Sequence, residues 1–369
     1  MPNAIIGVQD GRIIAVGPAA SLAMTPGVER IPLDGKFVMP GLINAHGHVN
    51  LERDLHTYAA YGVTTIFSLG GEQPPIFAAR DKQATPALDR ARVFVSGPVL
   101  TPTTPEEARE QVAGVAAQKV DIVKIRVDDN LGTTRKMMPD VYRAVITEAH
   151  KRGLRVAAHV FYLADAKALL DAKVDFIAHS VRDTDIDQAW AATLKASGVC
   201  YTPTLMREVS TFVYESTPEW FDDPLFIAHA NKEWIDALKQ PVRQQATRNS
   251  TGAQRYKTAL VVATRNLKRL SDAGVPIAMG TDTGPMGRFQ GYFELMELEL
   301  MVKAGLSPEQ TLAAATRDAA RCMKVDRDLG TLETGKWADF VVLDANPLDD
   351  IKNVKKINSV WIAGNRVTR

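Results

Sequence analysis

Two histidines one residue apart, His46 and His48, close the run Phe37–His48, FVMPGLINAHGH. The apolar residues before them read as a strand opened by Pro40-Gly41. A strand turns every second side chain to the same face, so both imidazoles project together. Imidazoles held that close suit a divalent cation of the zinc type. An HxH pair alone also describes a polar strand end, so the rest of the chain has to decide. Asp121–Val127 is an apolar strand with Lys124 in its middle, and Leu154–Val160 ends a strand on His159. Val174–Ser180 ends another on His179, and Pro276–Thr283 ends one on Asp282. Helical stretches separate these strands, the alternation of parallel βα units. In a (β/α)8 barrel the strand C-termini meet on one rim, where active sites are built. Residues far apart in the chain are expected to meet there.

The elements that must position them can be read off as eight strands: Val38–His48, Gly62–Leu69, Arg92–Thr101, Asp121–Val127, Leu154–Phe161, Asp175–Val181, Val199–Leu205 and Val275–Asp282. Thr104-Pro105-Glu106-Glu107 and Ser307-Pro308-Glu309-Gln310 are helix starts, each a cap followed by proline and an acidic residue. Pro139–Lys151 is a helix stopped by Gly153. The stretch 207–268 is too long for a loop and predicts a helical insert, a lid over the rim, with Thr217-Pro218-Glu219-Trp220 as one helix start. Residues 1–37 and 328–369 are short strands broken by turns, including hairpins at Gln9–Arg12 and Ala363–Arg366. Together they predict a small composite β-sandwich beside a barrel of residues 38–327, an α/β TIM-barrel architecture overall.

With 369 residues, 46% of them hydrophobic, the chain can bury a full barrel core. A net charge of +1 and the absence of a Lys/Arg-rich run give no electrostatic support for nucleic-acid binding. No stretch is long and apolar enough to span a bilayer, and the N-terminus lacks a signal peptide's pattern, so a cytoplasmic location is the default expectation. The two cysteines, Cys200 and Cys322, are expected to pack as small apolar residues rather than to form a disulfide framework.

Taken together, these motifs resemble the amidohydrolase superfamily, in its imidazolonepropionase-like and prolidase-like branch with a two-metal centre. The resemblance covers nearly the whole chain. It runs from Val38–His48 through Val123-Lys124-Ile125, His159, His179 and Gly280–Thr283 to the tail Gly330–Asp344, GTLETGKWADFVVLD. It implies a barrel with a composite β-sandwich, His46, His48 and Asp282 on one metal ion, His159 and His179 on the other, and Lys124 bridging both as a CO2-derived carbamate. Zinc is the first expectation for the ions, with manganese, cobalt or iron as alternatives. A lysine ammonium has no lone pair and repels a dication, so a lysine fits such a site only once neutral or converted to an anion. Two cations would share a hydroxide that attacks a carbonyl, and Asp282 would carry its proton to the departing amine. The chain departs from the pattern twice. Related chains usually carry a further N-terminal strand or hairpin before the equivalent of Ile5–Gly17, which is not expected in this sequence, and the loop Gly284–Gly291 has no histidine where prolidase-like relatives often place one.

The expected activity is hydrolysis of an amide-type C–N bond in a small molecule, an N-acyl amino acid or dipeptide-like compound. Arg126, Arg182, Arg207 and Arg288 lie near the predicted rim and suggest a substrate carboxylate, which a guanidinium recognises bidentately. Tyr162, Tyr201, Tyr214 and Phe289 are candidates for pocket walls. The same centre would also serve a lactone or phosphotriester. A single-metal ring-opening enzyme without the bridging lysine is a further alternative, and an inactive barrel kept for binding or assembly is one of another class. Homo-oligomerisation is left open.

Overall fold

In the computed structural model, residues 1–22 and 26–368 are described. Strands β1 (Ala4–Gln9) and β2 (Arg12–Pro18) form an antiparallel hairpin. Its turn residues Asp10 and Gly11 both take positive φ, 50° and 77°, the backbone that matches the twist of paired strands. Strand β3 (Phe37–Pro40) was expected to continue into the first barrel strand, but the chain divides at Gly41. Pro40 has no N–H for a ladder, and a Cβ at Gly41 would lie 2.1 Å from Thr64 Oγ1. The polypeptide therefore changes sheets there.

Strands β4 (Leu42–Gly47), β5 (Val63–Ser68) and β6 (Arg92–Val95) are parallel, and so are β7 (Val123–Arg126), β8 (Val156–His159), β9 (Phe176–Ala178) and β10 (Cys200–Thr202). Asp121 N–H donates to Val95 O and Leu100 N–H to Lys124 O, both at 2.8 Å, which joins the two sets. On the far side, Ala278 N–H donates to Tyr201 O at 3.0 Å and Ala45 N–H to Met279 O at 2.8 Å. The irregular segment 275–282 thus sits between β10 and β4 as the eighth stave. Every residue of β4 and β5 is buried, as expected of strands covered on both faces. Several surrounding helices bury one stripe against the sheet. Pro139–Lys151 does so with Val141, Tyr142, Val145, Ile146 and Ala149. The predicted caps are in place: Thr104 accepts from Glu107 N–H, and Ser307 and Gln310 form a capping box.

Strands β11 (Phe340–Leu343), β12 (Ile357–Ile362) and β13 (Asn365–Arg366) complete an antiparallel sheet of order β13-β12-β11-β3. Ile13 from the hairpin joins Ala338, Phe340 and Val342 in a small shared core. Between β10 and the eighth stave the chain is mostly helical and ends in the long helix Thr251–Ala273. Among the described residues no helix is long and apolar enough to cross a membrane.

One expectation is overturned. Cys200 and Cys322 are disulfide-bonded across 122 residues, with Cα atoms 5.8 Å apart. Cys200 opens β10, and Cys322 lies in the helix Arg317–Met323, which packs against the barrel. A single pair so distant in sequence leaves no spacing signal.

Candidate metal centre

The strand ends bring the six predicted ligands together. Lys124 Nζ lies 3.3 Å from His46 Nε2. Asp282 Oδ1 is 3.4 Å from His46 Nε2 and 2.9 Å from His48 Nε2. Ligand atoms of His46, His48 and Asp282 all fall within 4.8 Å of one another. The His179 ring centroid is 4.3 Å from that of His46 and 4.0 Å from that of His159. His179 and Asp282 are held at φ 72° and 60°, a conformation non-glycine residues adopt at a cost and one that recurs at functional sites.

Each of the candidate ligand histidines except His46 holds one ring nitrogen on a group outside the ligand cluster. His48 Nδ1 lies 3.0 Å from Gly70 O, His159 Nε2 2.9 Å from Asp128 Oδ2, and His179 Nδ1 2.7 Å from Thr204 Oγ1. Such outer contacts fix the ring and leave the opposite nitrogen to face inward. His46 has Asp282 and Lys124 around Nε2, while its Nδ1 is buried without a partner. Burial pulls His46 and His179 well below the ordinary imidazole range, with Lys124 adding to the effect at His46. It brings His159 down to about 3 even though Asp128 opposes it. Burial likewise lowers the Lys124 ammonium to about 7. Burial pushes the Asp282 carboxyl upward, but Arg288, His46 and His48 outweigh it and keep it well below the carboxylate range. The arrangement therefore offers neutral imidazole nitrogens, an amine that loses its proton near neutrality, and one carboxylate.

Several residues behind the site carry no sequence motif. Glu294 Oε1 accepts from Asn44 Nδ2, Thr281 Oγ1 and Thr283 Oγ1 at 2.5–2.7 Å, tying β4 to the segment that bears Asp282. Glu297, three residues on, accepts from the N–H groups of Leu205 and Met206 beyond β10. Asp128 joins His159 to Arg126. The only signals were carboxylates inside the apolar helix Tyr292–Lys303 and an acidic residue four after Lys124.

The candidate substrate residues divide. Arg126 and Tyr162 are partly exposed at the rim, on Asp128 and Asp129 respectively. Arg288 donates to Asp282 Oδ2 and to Ser210 Oγ. Arg207 is buried beside Glu208 and Tyr256. Arg182 does not face a substrate: its side chain is fully buried, donating to Val160 O and Ser180 O and paired with Glu208 at 2.9 Å. Tyr214 is likewise internal, its hydroxyl on Gly287 O and its ring against Phe221. Tyr201 lies in the barrel wall, accepting from Val181 N–H, and Phe289 packs on Phe226 and Trp220. Their size and polarity serve packing.

The profile of the amidohydrolase family matches residues 37–367. The chain belongs to the amidohydrolase family. It is 25% identical to the imidazolonepropionase of Rhizorhabdus wittichii over 371 residues, which cover 93% of this chain and 88% of that protein. It is 27% identical to the ochratoxinase of Aspergillus niger over 282 residues, 73% of this chain and 51% of that protein. Among solved structures, a Bifidobacterium longum protein assigned as a prolidase superimposes with a TM-score of 0.79 at 29% identity, covering 99% of this chain and 89% of the other. This amidohydrolase is accordingly a metal-dependent hydrolase of C–N bonds. The clustered ligand atoms of His46, His48 and Asp282 fit the divalent ions that such an enzyme uses.

Proposed function

We propose that this amidohydrolase cleaves the amide bond of N-acyl amino acids or dipeptide-like compounds at a two-metal centre. His46, His48 and Asp282 would hold one ion, His159 and His179 the second, and Lys124 would bridge them as a carbamate. The neutral Lys124 Nζ attacks CO2, an N–C bond forms, and a proton leaves, so the amine becomes a carboxylate-like anion. Divalent ions, when bound, polarise the scissile carbonyl and acidify a water at neutral pH. Asp282 takes the proton of the attacking water and delivers it to the departing nitrogen as the C–N bond breaks. Arg288 on Asp282 Oδ2 keeps that carboxylate ionised and aimed. The observation that supports this reading is the convergence of His46, His48 and Asp282, with Lys124 and the His179 ring against His46 and the His159 ring against His179.

The test is hydrolysis of an N-acyl amino acid and dipeptide panel by the metal-loaded protein, with and without chelator and bicarbonate. Cleavage that stops on chelation and returns with metal plus bicarbonate is expected. Cleavage indifferent to chelation would overturn the reading.

A further inference from the structure

Behind the rim two buried guanidinium groups share Glu208 as the one carboxylate that pairs directly with both, while Asp128 is engaged by Arg126 and His159. Glu208 is fully buried, with Oε1 2.9 Å from Arg182 Nε and Oε2 3.2 Å from Arg207 Nη1. One negative charge thus faces two positive ones in a place where charge is costly to leave unpaired. Arg182 is committed to the framework, because it grips the carbonyls of Val160 and Ser180, the residues that follow His159 and His179. Arg207 is not. Its guanidinium holds no backbone carbonyl: Nη1 faces Glu208, Nη2 reaches Tyr256 Oη at 3.2 Å with the Tyr256 ring below it, and Nε, like Arg182 Nη2, is buried without a hydrogen-bond partner. Asp282 lies close enough for its charge to act on Arg207, but that carboxylate is already held by Arg288. Arg207 sits just past β10 on the rim side, and Ser210, which accepts from Arg288 Nε, donates to its carbonyl.

We propose that Arg207 is the receptor for the substrate's carboxylate, which makes the preferred substrates N-acyl compounds with a free acid on the amine-side portion. This deepens the proposed amide hydrolysis and rests on it for the identity of the reaction. The substrate anion supplies the missing counter-charge, and the guanidinium binds it in a desolvated setting where a charge-assisted hydrogen bond is strong. The same count predicts stability. Removing Arg207 leaves Arg182 and Glu208 matched one to one, so the fold should not suffer. A merely structural arginine would behave in the opposite way.

The test uses the full chain loaded with zinc and two uncleavable probes, N-methanesulfonyl-L-phenylalanine and the corresponding neutral alcohol. Calorimetric binding of each is compared in the wild type, Arg207→Met and Arg207→Lys, with the melting temperature of each protein. The wild type is expected to favour the acid by about 10- to 100-fold. Arg207→Met should lose that preference without melting earlier, and Arg207→Lys should keep part of it. A preference that survives in Arg207→Met, a wild type with no preference, or an early-melting Arg207→Met that loses both probes alike would each overturn the proposal. Acid preference in a protein that cleaves no amide would uphold this inference and sink the proposed reaction alone.

Discussion

His46, His48 and Asp282 meet around a carboxylate, whereas His159 and His179 meet ring against ring with no carboxylate between them. The first group is braced by neutral donors, since Asn44, Thr281 and Thr283 converge on Glu294. The second is braced by charge, with Asp128 on His159 and the Arg182–Glu208 pair behind both strand ends. The difference shows what each lacks. Two imidazoles and a carboxylate suffice to hold a dication, whereas two imidazoles bring no negative charge, so on the proposed two-ion reading the second half requires a further anion. Lys124, against His46 Nε2 and with its ammonium lowered to about 7, is placed to become it.

That contrast can be broken at several points. Asp282→Asn is expected to lower kcat by about 10³-fold or more while much of the metal stays bound. Near-normal turnover, with metal content and rate measured on one sample, would remove the proton-carrying role. The bracing should differ next. Glu208→Gln leaves Arg182 and Arg207 with no buried anion and should cost about 3–5 kcal/mol in denaturant unfolding. Glu294→Gln keeps an acceptor for neutral donors and should cost only about 1–3 kcal/mol. Equal losses would erase the distinction between a charge-braced and a donor-braced half. The smallest effect concerns pH. A group whose pKa is about 7 is mostly ammonium at pH 6 and mostly free amine at pH 8, and only the amine takes up CO2. At a fixed concentration of dissolved CO2, reactivation of the metal-free protein should therefore be about tenfold faster at pH 8 than at pH 6. A rate independent of pH would place the amine elsewhere on the scale.

Much of the centre was legible because its chemistry sits on strands, where position along the chain fixes which rim a side chain reaches. His46, His159, His179 and Asp282 stand at strand ends and Lys124 within a strand, and the resemblance to the amidohydrolases joins them into one expected set. The tertiary partners could not. Nothing local distinguishes Arg182, which serves backbone carbonyls, from Arg207 or Arg288, because the difference lies in what each meets after folding. The close approach at Gly41 is to the side chain of Thr64, which the pairing of β4 with β5 brings there. The Cys200–Cys322 bond joins a strand to a helix at the far end of the barrel. It also bears on the cytoplasmic expectation, since disulfides persist mainly in oxidising compartments.

Counting metal ions tests the two-cation centre most directly. After loading in bicarbonate and removal of free metal, the wild type should carry about two equivalents per chain, and Lys124→Met about one, retained by His46, His48 and Asp282. A wild type that saturates at one equivalent, with Lys124→Met unchanged from it, would contradict the bridged pair.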